Sequence, residues 1–344
     1  MSTEIFYIIR QQLGNIGIPI LLVSGNIGNV LLLIMFIKSL KRHPNSCSLY
    51  LLFASFGNLF VIDTALISTF YGMNNVEPTH LSNAVCKLRW FGGHALFMLS
   101  RCCMVAACID RWAVCSQNVR IRSLCQIRTA RYVTGVIVLL SIILPAPLFL
   151  YYDNGTGRCI LLPTYTLAYT IFSFLAISVI PLLLLIIFSL LTCHNLHLIH
   201  SRVLPTSGTV QSIRIHKRDH DLMKMLAGEV VIYCLTQSTF PVNTMYGYFT
   251  SFFTANKSQL RIAVESLISF IIHPILSFTY CCTQFYVCAL VSKSFRRDCS
   301  QLFRKQPPPD TGTRHTIRFA ENNHTRKANT RISVIGLVFN MNYI

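Results

Sequence analysis

Seven stretches of this chain carry almost no charge, and each approaches or exceeds the length of a membrane-crossing helix. They are Ile16–Ile37, Cys47–Ile62, Trp90–Ile109, Tyr132–Tyr152, Ile160–Ile187, Val230–Thr254 and Ser266–Val291. Arg101 interrupts the third, and the second continues past Asp63 to Phe70. A helix needs about 20 apolar residues to cross roughly 30 Å of hydrocarbon. Only 12% of the residues are charged and 53% are hydrophobic. A water-soluble chain of this size could not cover its surface with so few charges. The expectation is an all-α membrane protein: a seven-transmembrane helix bundle in residues 16–303. A short N-terminal segment (1–15) precedes it, and a disordered tail (304–344) follows.

The net charge of +18 does not point to nucleic acid, because the charges avoid these long runs. Of 30 Lys and Arg residues, seven (Arg10, Lys87, Arg89, Arg101, Arg158, Lys257 and Arg261) fall in the spans or on one side, leaving 23 on the other. Positive residues concentrate on the cytoplasmic side, which puts the N-terminus outside and the tail inside. An odd number of spans requires the two ends to lie on opposite sides, in agreement. Sequons at Asn154 and Asn256 fall in loops on the predicted outside and are glycosylation candidates. The expected location is the plasma membrane.

Most of the 14 cysteines lie in spans or on the predicted inner side. Cys86 and Cys159 alone lie at the oxidising face. A disulfide between them would hold the loop before the fifth span over the top of the third. Two free thiols is the alternative. Asp110-Arg111-Trp112 lies 25 residues beyond Cys86, about 38 Å along a helix and close to one membrane thickness.

Seven spans, the Cys86–Cys159 pair and this triplet together resemble rhodopsin-like (class A) G-protein-coupled receptors, and peptide receptors in particular. Gly28-Asn29-Val30 resembles a first-span motif of that family, and Pro181 and Pro241 resemble its prolines in spans five and six. Ala289 to Arg297 is similar to the passage into a short amphipathic eighth helix, where Cys299 is a palmitoylation candidate. The resemblance implies a receptor, not an enzyme, with no cofactor or bound metal. Its partners would be an extracellular ligand and a heterotrimeric G protein, with arrestin and a receptor kinase acting on tail threonines such as Thr311 and Thr313. It further implies that Asp110, Arg111 and Trp112 form the coupling switch, with Asp221 on span six closing onto Arg111.

Several positions depart from the family. Its span-two aspartate falls on Asn58, its span-six tryptophan on Thr239, and its Asn-Pro-x-x-Tyr motif on Gln284 to Cys288; its span-four tryptophan has no counterpart. Asn29, Asn58, Ser100 and Gln284 occupy the altered sodium-pocket positions. An uncharged amide replaces a carboxylate poorly as a cation ligand, so no sodium effect is expected. The amine-receptor aspartate falls on Gly93 and the retinal lysine on Phe278, so neither an amine nor retinal is indicated. His94, Asn243 and Tyr246 are candidate contacts for a peptide or a small polar ligand.

A cation at mid-span, such as Arg101, is usually paired or functional. Asp63 and Glu229 are the nearest acids in span order; contact with main-chain carbonyls is the other reading. Two alternatives to a coupling receptor stand: a receptor-like scaffold that does not couple, and a transporter or channel, for which no internal repeat is visible.

Overall fold

The computed structural model describes residues 2–155, 157–202, 210–252 and 257–303, with side chains described at all of these except 2, 197–202, 210–221 and 302–303. Helix is the main element. Helices α1 (Ser2–Arg42) and α2 (Ser46–Ile62) come first, α2 running through a π-type stretch, Asp63–Ile67, into α3 (Ser68–Asn74). Next are α4 (Pro78–Leu81), α5 (Asn83–Val114), α6 (Val119–Ser123), α7 (Ile127–Ile143) and α8 (Ala146–Tyr151). A two-residue antiparallel pair follows, β1 (Tyr152–Asp153) with β2 (Ile160–Leu161), in the register Tyr152 to Leu161 and Asp153 to Ile160. Gly157 in the intervening turn has φ 72°, a backbone geometry that glycine enters without steric cost.

After the hairpin, α9 (Thr166–Phe172) passes through a π-type stretch, Ser173–Val179, into α10 (Ile180–Arg202). Then come α11 (Val210–Gln237), α12 (Thr239–Ser251) and α13 (Gln259–Phe270). A third π-type stretch, Ile271–Leu276, leads into α14 (Ser277–Val291), and α15 (Lys293–Phe303) ends the described chain. Contacts divide the chain into two units, Met1–Arg296 and Arg297–Ile344. In the second unit only the end of α15 is described.

Among the described residues, six helices are long and apolar enough to cross a membrane: Thr3–Arg42, Ser46–Asn74, Asn83–Val114, Ile127–Tyr151, Pro163–Leu196 and Gln259–Val291. The run expected as span six is instead divided between α11 and α12, with the break at Ser238. The cause is local. Pro241 has no N–H to offer the Gln237 carbonyl four residues back, so the helical ladder is interrupted there. The segment set apart by sequence as an N-terminal tail is helical, since α1 begins at Ser2.

Large apolar side chains populate both the interior and the surface. Leu32, Leu51, Ile62, Met104 and Leu185 are essentially inaccessible, whereas Ile34, Phe60, Ile109 and Leu183 are exposed on the same helices. In lipid the surface needs no polar coat, so burial does not sort residues by polarity as it does in water. The close approach of α2 and α5 depends on a small residue. A Cβ added at Gly57 would stand 3.0 Å from the Leu96 carbonyl oxygen and 3.2 Å from the Ser100 Cβ.

Candidate functional site

Helix α5 carries polar groups near each end and two polar clusters between them. At the Cys86 end, Cys86 and Cys159 form a disulfide with Cα atoms 5.6 Å apart. The bond holds the β1–β2 hairpin against α5, where the Tyr152 ring stacks on Trp90 at 4.6 Å. Beneath the hairpin is a cavity of about 1150 Å³. His94 and Asn243 line it; Tyr246 does not, and Tyr248 does. His94 Nδ1 meets the Trp90 carbonyl at 2.7 Å and Nε2 meets the Tyr169 hydroxyl at 3.2 Å. Asn243 Nδ2 reaches His273 Nε2 at 2.9 Å. The Tyr246 hydroxyl donates to Glu265 at 2.6 Å, in a cluster with Lys257 and Arg261. The Asn154 amide donates to the His80 carbonyl at 2.6 Å. Asn256 lies outside the described residues.

At the opposite end, Arg111 is 2% exposed, and its Nη2 lies 2.6 Å from Asp110 Oδ2 and 3.3 Å from Asn45 Oδ1. Asn45 also caps α2 by accepting from the Cys47 N–H at 2.9 Å, so one side chain starts a helix and steadies the arginine. The Trp112 ring meets Phe188 edge-on, with centroids 5.4 Å apart. A small cavity of about 110 Å³ opens beside Arg111, lined by residues of α5, α10 and α11, among them Cys108, Thr192 and Met223. The Asp221 side chain lies outside the described residues. Nearby, Cys125 lies 3.5 Å from the Asp110 carbonyl oxygen, and burial pushes its thiol up to about 11. Burial also raises the pKa of the Cys299 thiol on α15, whose side chain is half-buried.

Between these ends are two polar clusters. In the first, Ser100 Oγ donates to Asn58 Oδ1 at 2.5 Å, Asn58 Nδ2 to Gln284 Oε1 at 2.9 Å, and Gln284 Nε2 to Glu229 Oε2 at 3.0 Å. The Cys288 thiol completes it at 3.0 Å from Glu229 Oε1. The chain of contacts crosses α5, α2, α14 and α11, and every member is buried. Asn29 stands apart, donating to the Gly25 and Cys281 carbonyls at 2.8 and 3.0 Å. Of the four sodium-pocket positions expected from sequence, Asn58, Ser100 and Gln284 are joined and Asn29 is not, while Glu229, one of the two acids nearest Arg101 in span order, joins them. Its place beside Gln284 is set by how α11 packs on α14.

The second cluster surrounds Arg101. Its guanidinium donates to the Ile177 carbonyl and, at 2.7 Å, to Gln237 Oε1, with the Phe97 ring centroid 4.8 Å away. Gln237 Nε2 donates onward to the Ser277 carbonyl at 2.9 Å. Neither Asp63 nor Glu229 meets Arg101: Asp63 accepts from Asn26 at 2.8 Å, and Glu229 is engaged as above. The carbonyl reading of Arg101 is the one observed. A sequence signal for the region exists, because Pro181 has no N–H and interrupts the helical ladder close to Ile177, where π-type bonding gives way to α-helix.

The family model described as 7 transmembrane receptor (rhodopsin family) matches residues 28–265. The chain belongs to that family. It is therefore a multi-pass membrane receptor, and not an enzyme, whose family signals from an extracellular ligand to G proteins. No curated protein matches the chain. Within this rhodopsin-family frame, Glu229 joins the positions where the family's span-two carboxylate is absent. Arg101 ties α5 to the π-type stretch before α10 and, through Gln237, to the break between α11 and α12.

Proposed function

We propose that this protein is a plasma-membrane receptor, N-terminus outside and tail in the cytoplasm, that binds a peptide or small polar ligand in the cavity beneath the hairpin and couples to a heterotrimeric G protein at the Arg111 end. The observation that carries this reading is the layout of α5. One continuous helix lines a large cavity under a disulfide-held hairpin at one end and presents the Asp110–Arg111 pair at the other. In this reading α11 and α12 together form span six, broken at Ser238, and α15 is the amphipathic eighth helix, with Cys299 as its palmitoylation site. Asp221 closes onto Arg111 in the resting state. A ligand that binds the open state better shifts the population toward it and exposes a groove for a G-protein helix. The basic side favours an anionic leaflet and an acidic partner surface. Tail threonines serve a receptor kinase and arrestin, and Asn154 and Asn256 carry glycans.

A second reading, a receptor-like scaffold that does not couple, is favoured by one observation. The buried Ser100–Asn58–Gln284–Glu229–Cys288 chain joins four spans through hydrogen bonds where a mobile relay would be expected. The two readings separate in cells expressing the chain with G-protein biosensors and challenged with a peptide library. Evoked coupling that vanishes in Arg111→Ala supports the receptor. Silence across the library and the biosensor panel supports the scaffold, and ion flux in the absence of coupling supports neither.

A further inference from the structure

The cavity under the hairpin is rich in positive charge. Arg10, Arg89 and Arg101 line it against a single acid, Glu77. Arg89 is neutralised, since it contacts Glu77 directly and also donates to Thr69 at 3.0 Å. Arg10 donates to Ser266 at 2.9 Å and lies over the Phe270 ring. Arg101 is the residue of α5 farthest from Cys86 among those lining the cavity, and it differs from both. It is 2% exposed, its contacts are a carbonyl, an amide oxygen and aromatic faces, and its Nε has no hydrogen-bond partner. Among the described residues no carboxylate lies within ion-pair distance of it. A guanidinium carries five N–H donors, and only two are used here.

A buried cation held only by neutral groups is costly to keep in a low-dielectric interior, and a carboxylate relieves that cost. A carboxylate also matches the fork of two adjacent N–H donors. The surroundings limit its charge to one. Arg101 stands alone at its depth, and the walls about it include Phe97 and Phe278. A doubly charged phosphate would need more donors than this end of the cavity offers.

We propose that Arg101 is the seat for the acid group of a monocarboxylate ligand, and that seating it draws the guanidinium off Gln237. This rests on the reading of the cavity as the extracellular-ligand site and specifies the ligand's chemistry. Gln237 ends α11 at the break before α12. With Arg101 engaged by an acid, Gln237 keeps its bond to the Ser277 carbonyl and loses its tie to α5. The restraint that holds α11 against α5 at mid-membrane is then lifted, which favours the open state. Arg10, nearer the N-terminus of α1, adds to the field that attracts an anion.

The test uses the full chain in lipid nanodiscs and matched probes. Phenylacetate, indole-3-acetate and decanoate are compared with their primary amides, and a peptide set with free C-termini is compared with the same peptides amidated. The first arm detects an organic acid as the source of the carboxylate, the second a peptide terminus. Binding is read from thermal stabilisation of the receptor. At least one acid should bind, its amide about tenfold or more weakly, and Arg101→Gln should show the same loss, with Arg101→Lys between. Gln237→Met removes the competitor for the guanidinium and should strengthen acid binding. The proposal is overturned if no acid in either arm binds, if acid and amide bind alike, if Arg101→Gln retains the acid, or if Gln237→Met leaves affinity unchanged. Should Arg101→Gln fail to fold, the acid–amide comparison and Gln237→Met decide. Acid binding without a G-protein response defeats the coupling reading and leaves this assignment standing. Coupling evoked by a ligand with no acid group, undiminished in Arg101→Gln, does the reverse.

Discussion

Arg101 and Arg111 stand ten residues apart on α5, about 15 Å along one helix, and each is 2% exposed. One is paired with a carboxylate at 2.6 Å, while the other rests on a carbonyl, an amide oxygen and aromatic faces. The difference shows that burial alone does not define an arginine's role. Arg111 is stabilised by a charge adjacent in sequence, so its pairing survives as long as α5 does. Arg101 depends on two other spans, through Ile177 and Gln237, so its environment changes whenever those spans move.

The largest expected effect breaks this contrast directly. Arg111→Met leaves Asp110 buried and unpaired and should lower stability by about 3–5 kcal/mol in detergent unfolding. Arg101→Met removes a cation that has no counter-charge and should change stability by about 1 kcal/mol or less, the loss of two hydrogen bonds being offset by the relief of burial. Equal losses in the two variants would mean that Arg101 has an anionic partner after all, and the contrast would fail.

A smaller effect is expected at the buried acid Glu229. Glu229→Leu orphans the Gln284 amide and the Cys288 thiol and should cost about 1–3 kcal/mol, whereas Glu229→Gln keeps an acceptor and should cost less. Indistinguishable melting curves for the two variants would show that the chain through Gln284 contributes nothing to stability. Smaller still, and read in cells, is the resting restraint on Arg111. Asp221→Ala should raise basal G-protein activity, and unchanged output at matched surface expression removes Asp221 from the switch. The smallest expectation is a null. With Asn58 already bonded to Ser100 and Gln284, sodium at fixed ionic strength should leave agonist affinity unaltered, and a clear fall in affinity would restore a cation site there.

Much of the architecture was legible because lipid imposes simple rules. Apolar run length predicts spans, and the distribution of Lys and Arg predicts sides. The joining of Cys86 to Cys159 could be anticipated because only those two cysteines fall at the predicted outer face. The break in span six is less visible, since Pro241 resembles the family's span-six proline but spacing alone does not place the interruption at Ser238. The helical start of α1 at Ser2 was missed because residues 1–15 contain charges and lack the length signal. At the candidate site, His94 and Asn243 line the cavity while Tyr246 points to a cluster with Glu265. One-dimensional spacing does not say which face of α12 meets the interior.

By itself the sequence determined the membrane class and the place of the Asp110-Arg111-Trp112 triplet about one membrane thickness from Cys86, because these depend on run length and spacing along the chain. Only the tertiary structure decided what Arg101 and Glu229 touch. Arg101 is a single charge inside an apolar run and Glu229 borders one, and the groups that satisfy them come from other spans: the Ile177 carbonyl, the Gln237 amide, and the Gln284 amide with the Cys288 thiol. In a low-dielectric interior such groups must find partners, but which ones is set by how the helices pack.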